Sequence, residues 1–281
     1  MSTFPSLLIA VDLTPMDEAL MRYVKFWLDT LPGEPEVHIV HNIKYNLDDD
    51  MEALLDAPLD QVVKEALGEQ AKEWLPGHEH QVQIHVKQAF STMEAIKDCL
   101  VETNASLLVL GKKIDYDGSG ITNSKMLRQS PVPVLLIPEM ARKKLDKLLV
   151  PVDFSKQSAA ALQIGLSLQE ELNNALEVQH IYHIPSVYFP YVPVQSMSRS
   201  MLDKAKKEFT HFLEKYTFEQ PVPGCTFTDG KEHSVVDTLD HYSRQQQVDL
   251  IIVGAQGHSA LLGSVAIGLS RLESPKPILI V

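Results

Sequence analysis

The sequence contains the stretch Lys147-Leu-Leu-Val-Pro-Val-Asp153, a continuous apolar run bounded by two charged residues. Runs of this kind are typical of a parallel β-strand that is buried on both faces. Pro151 has no backbone N–H, so we expect it near the end of the strand, where a missing donor does least harm. The same pattern occurs 141 residues earlier, in Ser6-Leu-Leu-Ile-Ala-Val-Asp12.

This match is part of an internal repeat. Residues 105–111 match residues 248–254 at an offset of 143, and residues 130–137 match residues 274–281 at an offset of 144. Three matches in the same order at nearly one offset indicate two copies of one structural unit.

The repeat predicts two tandem domains, residues 1–140 and 145–281, joined by the short charged segment 139–146. Apolar runs alternate with segments of helical periodicity, which predicts an α/β fold: in each domain, a doubly wound parallel sheet with helices on both faces. The short connection should hold the domains close together as a pseudo-dimer. The predicted strands are Leu7–Val11, Val37–Val40, Val82–Val86, Leu107–Leu110, Val134–Ile137, Leu148–Val152, Leu176–Tyr182, Cys225–Thr228, Leu250–Val253 and Ile278–Val281, and the predicted helices of the second domain are Ala159–Leu172, Met201–Tyr216, Ser234–Gln246 and a short one after Gly263.

Composition excludes several classes of function. The formal net charge is −12, so the average field of the protein repels nucleic acid and anionic membranes. The two cysteines, Cys99 and Cys225, form neither a disulfide framework nor a CxxC metal motif. No apolar stretch reaches membrane-spanning length, and the N-terminus lacks the pattern of a signal peptide. A cytoplasmic location is therefore expected.

Residues that follow the strands of the second domain are candidates for a binding site, because ligands of doubly wound sheets bind beyond the carboxyl ends of the strands. Asp153 follows the first strand and can accept a hydrogen bond from an adenine or a ribose. Gly254 and Gly257 follow the fourth strand, where glycine allows close backbone approach and a positive φ. Gly263-Ser264 opens a helix, whose free N–H groups and positive dipole end favour a phosphate.

These motifs, in this order, resemble those of the universal stress protein family in its tandem form, over nearly the whole chain. Pro-x-Asp stands at residues 151–153, Gly-x-x-Gly at 254–257, Gly-Ser at 263–264, and Pro-x-Pro at 275–277 before the last strand. The resemblance implies an adenine nucleotide alpha hydrolase-like fold. It also implies nucleotide contacts from Pro151, Val152, Asp153, Ile181, Gly254, Gly257, Gly263, Ser264 and Val265, with Asp153 and Ile181 at the adenine, Gly254 at the ribose and the others from Gly257 onward at the phosphates.

The linker between the two glycine motifs departs from the family pattern. Only five residues, His258 to Leu262, separate Gly257 from Gly263, whereas ATP-binding members usually have a longer linker. A shorter loop reaches less far around a triphosphate, so ATP and AMP both remain open as ligands. Since no P-loop lysine is present, a bound Mg²⁺ is expected to help neutralise the phosphates.

The first domain departs more. Pro-x-Asp has become Ala10-Val-Asp12, and Gly-x-x-Gly has become Gly111-Lys-Lys-Ile114, in which a bulky side chain replaces the second glycine. Asp115 and Asp117 would repel a phosphate, and Lys112 and Lys113 offset them only in part. We expect the first domain to be a degenerate, structural copy.

Other candidate sites are weaker. His78 and His80 lie in a loop, and His180 and His183 lie at the end of a strand. Neither pair has the spacing of a helical zinc site, so no metal site is expected. No nucleophile motif occurs, so we expect no catalysis.

Two hypotheses follow for the function. The first is a stress protein whose second domain binds ATP or a related adenine nucleotide, and whose association with protein partners or with a second copy of the chain depends on that binding. The alternative is a nucleotide-free scaffold or chaperone-like protein. It would act through the pseudo-dimer surface and the aromatic and proline-rich segment Tyr188–Met197, either a lid on its own domain or a flap over an apolar ligand or partner.

Overall fold

A computed structural model describes residues 2–44, 50, 54–112, 126–184, 194–231, 233–256 and 263–281. The chain divides into two compact units, Met1–Lys143 and Lys144–Val281, each with its own buried core. In the first unit, strands alternate with helices along the chain, and a short 3₁₀ turn at Glu79–Gln81 precedes the third strand. Its elements are β1 (Ser6–Val11), α1 (Met16–Thr30), β2 (Glu36–Ile43), α2 (Leu59–Trp74), β3 (Val82–Gln88), α3 (Thr92–Thr103), β4 (Leu107–Lys112) and β5 (Val134–Pro138).

The second unit repeats this alternation. Its elements are β6 (Lys147–Pro151), α4 (Lys156–Leu172), β7 (Ala175–Tyr182), α5 (Val194–Lys215), β8 (Cys225–Asp229), α6 (Val235–Gln245), β9 (Leu250–Val253), α7 (Ser264–Arg271) and β10 (Ile278–Ile280).

The sheet of each unit has the same strand order. The first unit runs β3-β2-β1-β4-β5, and the second runs β8-β7-β6-β9-β10. Within the units these neighbours pair in parallel, as in Val150↔Val178 and Leu149↔Ile251. The first strand of each unit therefore lies between the second and the fourth, which is the switch point of a doubly wound sheet. The α/β, doubly wound prediction is confirmed.

The apolar run that opens the second unit forms a fully buried strand. The side chains of Leu148, Leu149 and Val150 are 0% exposed, because helices cover both faces of a parallel sheet. Pro151 is the last residue of β6, as its missing N–H predicts. Ser155 caps α4, since its hydroxyl accepts a hydrogen bond from the N–H of Ser158 at 3.1 Å. Both local predictions are confirmed.

Helix α5 is longer than predicted. The sequence-based start was Met201, but the helix begins at Val194. The first turns are rich in serine, which has only a moderate helix propensity, so the periodic signal there was weak. The last four residues of the segment Tyr188–Met197 are therefore helical, and residues 188–193 lie outside the described residues.

No helix in the described part of the chain is both long enough and apolar enough to cross a membrane.

Two helical glycines provide a matched test of packing in these units. A Cβ at Gly165 of α4 would lie 2.7 Å from Cγ2 of Val150, a stiff and fully buried side chain, whereas a Cβ at Gly68 of α2 would meet no atom within 4 Å. We expect Gly165→Ala to lower the free energy of unfolding of the second unit by about 1–3 kcal/mol because it overpacks the helix–sheet interface. Gly68→Ala should raise that of the first unit by about 0.5–1 kcal/mol through helix propensity.

Urea denaturation, followed separately for the transition of each unit, checks both values. Equal effects of the two substitutions would contradict the close contact between α4 and β6.

Candidate functional site

A pocket of about 430 Å³ lies at the carboxyl ends of β6, β7 and β9 and at the start of α7. This is the switch point of the second sheet, where the strand order predicts a ligand site. Its volume is within the range of about 300–1,000 Å³ that is usual for small-molecule sites. The pocket brings together eight of the residues predicted from the sequence, Pro151, Val152, Asp153, Ile181, Gly254, Gly263, Ser264 and Val265.

The remaining predicted residue, Gly257, lies outside the described residues. Six further residues that line the pocket were not predicted from the sequence: Ser158, Gln179, His180, Val235, Val253 and Gln256.

Larger hollows occur in the first unit, of about 590 and 740 Å³. They are lined mainly by side chains of α1 and α2, many of them charged, such as Glu18, Arg22 and Glu73. The 590 Å³ hollow includes Leu13 and Thr14 of the turn after β1, but neither hollow is lined by described residues at the carboxyl ends of β2 and β4. The pocket of the second unit is therefore the stronger candidate despite its smaller size.

The end of β6 is fixed by two hydrogen bonds to β7. The N–H of Val152 donates to the carbonyl oxygen of Gln179 at 2.8 Å, and Nδ1 of His180 lies 2.8 Å from the carbonyl oxygen of Val152. Because a carbonyl oxygen only accepts, this contact requires the proton of His180 on Nδ1. Both backbone groups of Val152 are thereby engaged at the point where the chain leaves the sheet.

The chain then turns sharply to place Asp153 at the mouth of the pocket. Phe154 adopts φ +66, and its ring stacks on the ring of His180 with a centroid distance of 4.3 Å. The Oδ1 of Asp153 accepts a hydrogen bond from the N–H of Ser155 at 3.0 Å. The side chain of Asp153 is exposed, so its carboxylate is accessible to a ligand in the pocket.

His180 lies half-buried in the wall of the pocket and above an aromatic cluster that includes Phe154, Phe209 and Phe227. Burial lowers the pKa of His180 below its ordinary value of 6.5; the hydrogen bond with Val152 and the charges of Glu208 and Asp153 oppose this shift. The ring is therefore neutral at neutral pH.

Gln179 is another polar residue of the pocket wall that was not predicted from the sequence. It is 0% exposed, and its Nε2 donates to Oγ1 of Thr228 at 2.9 Å. Its Oε1 has no hydrogen-bond partner among the described residues. A buried acceptor without a partner costs about 1–3 kcal/mol, so a donor from a bound molecule would be favourable here. Gln179 did not stand out in the sequence, because Glu177 and His180 also make the centre of this strand polar.

Close packing within the protein requires a glycine at position 254. A Cβ at this position would lie 2.8 Å from the backbone carbon of Gln157, in the first turn of α4. The equivalent Gly111 of the first unit meets a side chain instead, with a Cβ 3.0 Å from Cγ of Met16. The close approach of the helix backbone therefore accounts for the glycine at position 254, whether or not a ligand is bound.

Gly263 begins α7 without a positive φ. Its φ is −61, which suits the residue that opens a helix. Gly254 is not among the described residues with positive φ, so the positive φ expected there is wrong, and Gly257 lies outside the described residues. The N–H of Gly263 donates to the carbonyl oxygen of Ala255 at 2.7 Å, which anchors the start of the helix beside β9. The first intrahelical bond runs from Ile267 to Gly263.

Ser264, Val265 and Ala266 form the first turn of α7, so their N–H groups have no carbonyl partner within the helix. No acceptor for them occurs within the described ranges. They form the donor set that a phosphate would use.

The first unit repeats the turn but changes its chemistry. Leu13 adopts φ 58, and Nδ1 of His41 lies 3.1 Å from the carbonyl oxygen of Val11, as in the second unit. At the position of Ser158, however, stands Asp17, only 4% exposed, whose carboxylate accepts hydrogen bonds from the N–H groups of Asp12 and Thr14. Burial, followed by the charge of Asp12, raises the pKa of Asp17.

The residues on which the degenerate-copy prediction chiefly depends, including Lys113, Ile114, Asp115 and Asp117, lie outside the described residues. Lys112 is buried at the end of β4. That the first unit has no nucleotide site therefore stays a prediction.

Two of the histidines considered as metal ligands have protein partners. Nε2 of His78 lies 2.9 Å from Oδ1 of Asp29, and Nε2 of His183 lies 2.9 Å from the carbonyl oxygen of His233. These contacts give both side chains a structural role.

Comparison with known proteins identifies the family. Residues 144–281 match the model of the universal stress protein family. The second unit therefore belongs to the universal stress protein family. No curated protein is significantly similar to the chain in sequence.

Solved structures extend the likeness of fold to both units. A universal stress protein from Archaeoglobus fulgidus DSM 4304 is 17% identical, with a TM-score of 0.64 over 98% of this chain and 97% of that one. A functionally unknown protein from Pseudomonas aeruginosa PAO1 is 15% identical, with a TM-score of 0.63 over 99% and 92%. The universal stress protein from Archaeoglobus fulgidus in complex with dAMP is 14% identical and covers 48% of this chain and 98% of its own, with a TM-score of 0.35.

The lowered pKa of His180 has a consequence for stability. The unfolded chain takes up a proton at this histidine near its ordinary pKa of 6.5, whereas the folded unit does so only at lower pH. The contribution of the neutral His180 side chain to the free energy of unfolding is therefore complete above pH 6.5. It is lost as the pH falls from that value towards the pKa of the folded state. We expect His180→Gln to reduce the loss of stability of the second unit on acidification.

Urea denaturation at about pH 7.5 and about pH 5.5 measures this difference. His241→Gln, at an exposed position of α6, serves as the control and should keep the wild-type pH dependence. An unchanged pH dependence in His180→Gln would contradict the account.

Proposed function

We propose that the second unit binds an adenine nucleotide in the 430 Å³ pocket, and that binding biases the association of the protein with other proteins. The observation that carries the proposal is the combination of groups around one cavity. Asp153 with its carboxylate, Gln179 with its buried acceptor, and Ser264 and Val265 of the first turn of α7 all line the same cavity. The dAMP ligand belongs to another protein, so the proposal depends on this chain's own pocket.

The base end of the ligand would lie between apolar walls. Val152, Ile181 and Val235 line this part of the pocket and can cover the faces of a planar ring. The carboxylate of Asp153 can accept a hydrogen bond from an exocyclic amine or a ribose hydroxyl, and the free Oε1 of Gln179 can accept another.

The phosphate end would lie at the start of α7. The N–H groups of Ser264, Val265 and Ala266, for which the described residues offer no acceptor, and the positive end of the helix dipole favour an anion. The exposed hydroxyl of Ser264 can add a further donor. Because the protein carries a net charge of −12, a Mg²⁺ ion bound with the nucleotide would help to offset repulsion from distant carboxylates.

We propose a binding role without catalysis. The histidine in the pocket wall, His180, already engages Val152 through Nδ1 and stacks on Phe154, so it serves the architecture of the site. The scaffold alternative depends on residues 188–193, outside the described ranges, and it gains support only if no nucleotide binds.

The adenine end is tested with Asp153→Asn, which removes the charge but keeps an oxygen for the N–H of Ser155. We expect calorimetric titration with ATP·Mg²⁺ and with AMP to give affinities weaker by about 10-fold or more, because a hydrogen bond to a charged group is lost. The matched control is Asp12→Asn, at the equivalent turn of the first unit, which should leave both affinities unchanged. ATP hydrolysis assayed alongside should stay at the buffer background.

The phosphate end is tested with Ser264→Asp. Aspartate is well tolerated in the first turn of a helix, so the fold should persist, but its charge would lower phosphate affinity by about 10-fold or more. Ser91→Asp, at the N-cap of α3 in the first unit, is the control and should bind as the wild type does. No heat from ATP or AMP up to millimolar concentration in the wild type, or equal losses in Ser264→Asp and Ser91→Asp, would overturn the proposal.

A further inference from the structure

Three side chains of different chemistry converge in the first unit, away from the candidate nucleotide pocket in sequence and in fold. His85 is on β3, and Cys99 and Glu102 stand three residues apart on α3. One ligand atom from each, a ring nitrogen, the Sγ and a carboxylate oxygen, all lie within 4.8 Å of one another. Their sequence positions show no motif, which is why the sequence predicted no metal site.

The environment of the cluster suits a metal ion that comes from solvent. Cys99 is 0% exposed, His85 is half-buried, and the side chain of Glu102 is exposed. The cluster therefore has a buried sulfur at its base and an exposed carboxylate at its entrance.

A second histidine supports the ring of His85. Nδ1 of His38 lies 3.1 Å from Nε2 of His85, and Nε2 of His38 lies 3.6 Å from a carboxylate oxygen of Glu36. The nearby carboxylate favours the proton of His38 on Nε2, so that Nδ1 accepts from the Nε2–H of His85. This arrangement of protons leaves the lone pair of Nδ1 of His85 available to bind a metal ion. Chains of carboxylate and histidine of this kind orient metal-bound imidazoles in other proteins.

We propose that His85, Cys99 and Glu102 form a binding site for a divalent transition-metal ion of the Zn²⁺ class. Imidazole, thiolate and carboxylate together are a ligand set for Zn²⁺, whereas Mg²⁺ and Ca²⁺ favour oxygen ligands alone. Zn²⁺ binds nitrogen and sulfur at about 2.0–2.3 Å, so the three ligand atoms would move closer together on binding. Three protein ligands leave a fourth position for water.

One cation on the protein competes with this metal. Nζ of Lys87 lies 2.7 Å from Oε1 and 2.5 Å from Oε2 of Glu102. A bound Zn²⁺ would take one of these carboxylate oxygens, so the ammonium group must shift to the other or move into solvent. Removal of Lys87 should therefore raise the affinity of the cluster for the metal. If the contact between Lys87 and Glu102 were only a structural ion pair, its removal would not change metal affinity.

The test uses the full chain, freed of metal by a chelator and then titrated with Co²⁺ and with Zn²⁺. We expect saturable binding of one Co²⁺ per chain, with a thiolate-to-cobalt charge-transfer band in the near ultraviolet that Zn²⁺ abolishes. Cys99→Ser should remove the band, and Cys225→Ser, which alters the other cysteine, should keep it. Because Cys99 is buried, Glu102→Gln provides a second variant at an exposed position, and it should weaken Co²⁺ binding by about 10-fold or more.

Two further variants separate a metal site from a packed cluster. His38→Gln should weaken Co²⁺ binding by about 10- to 100-fold without removing the band, as expected for a positioning residue behind a metal ligand. Lys87→Gln should strengthen it by about 2- to 5-fold, because a competing cation is lost. Absence of the band in the wild type, its persistence in Cys99→Ser, or equal Co²⁺ affinity of the wild type and Glu102→Gln would overturn the proposal.

Discussion

The backbone of Val152 makes two hydrogen bonds with strand β7, and the geometry of the candidate pocket depends on them. Its N–H donates to the carbonyl of Gln179, and its carbonyl accepts from His180, so the end of β6 cannot move away from β7 without losing both. The next residue, Asp153, is thereby held at the edge of the sheet. The first unit has the same carbonyl contact between Val11 and His41, which makes it a property of the fold.

The two units share this backbone geometry but differ in the side chains that it carries. In the second unit, Ser155 caps the helix that follows β6 by accepting from the N–H of Ser158, and Asp153 is the carboxylate at the mouth of the pocket. In the first unit, a second carboxylate, Asp17, occupies the turn and takes the hydrogen bonds of the backbone N–H groups. The turn of the first unit therefore carries two carboxylates where that of the second unit carries one, and the expectation of a structural copy stays a prediction.

The sequence predicted the central strands well because they are buried on both faces and appear as continuous apolar runs, whereas the edge strands β3 and β8 alternate with polar residues. The switch point followed from the alternation of strands and helices, and with it the grouping of residues such as Asp153 and Ser264. The start of α5 was missed, because its serine-rich first turns carry little periodic signal. Gln179 was missed because its partner, Thr228, lies 49 residues further along the chain, on another strand.

The sequence indicated which glycines are important better than it indicated why they are required. The sequence indicated that Gly254 and Gly263 matter, and Gly263 opens a helix as predicted, but the positive φ expected at Gly254 is wrong. Gly254 is required by the backbone of Gln157, a contact between a strand and a helix that sequence spacing does not reveal. The cluster of His85, Cys99 and Glu102 was missed for the same reason, because its members meet only when α3 packs on β3.

The central claim is that an adenine nucleotide binds at the carboxyl edge of the second sheet. Hydrogen–deuterium exchange of the full chain, with and without saturating ATP·Mg²⁺, tests it most directly, since it reports on each backbone segment. The account predicts slower exchange in the first turn of α7, at Ser264, Val265 and Ala266, and at the end of β6, with no change at the equivalent turn after β1. Protection in the first unit alone, or no protection anywhere, would contradict it.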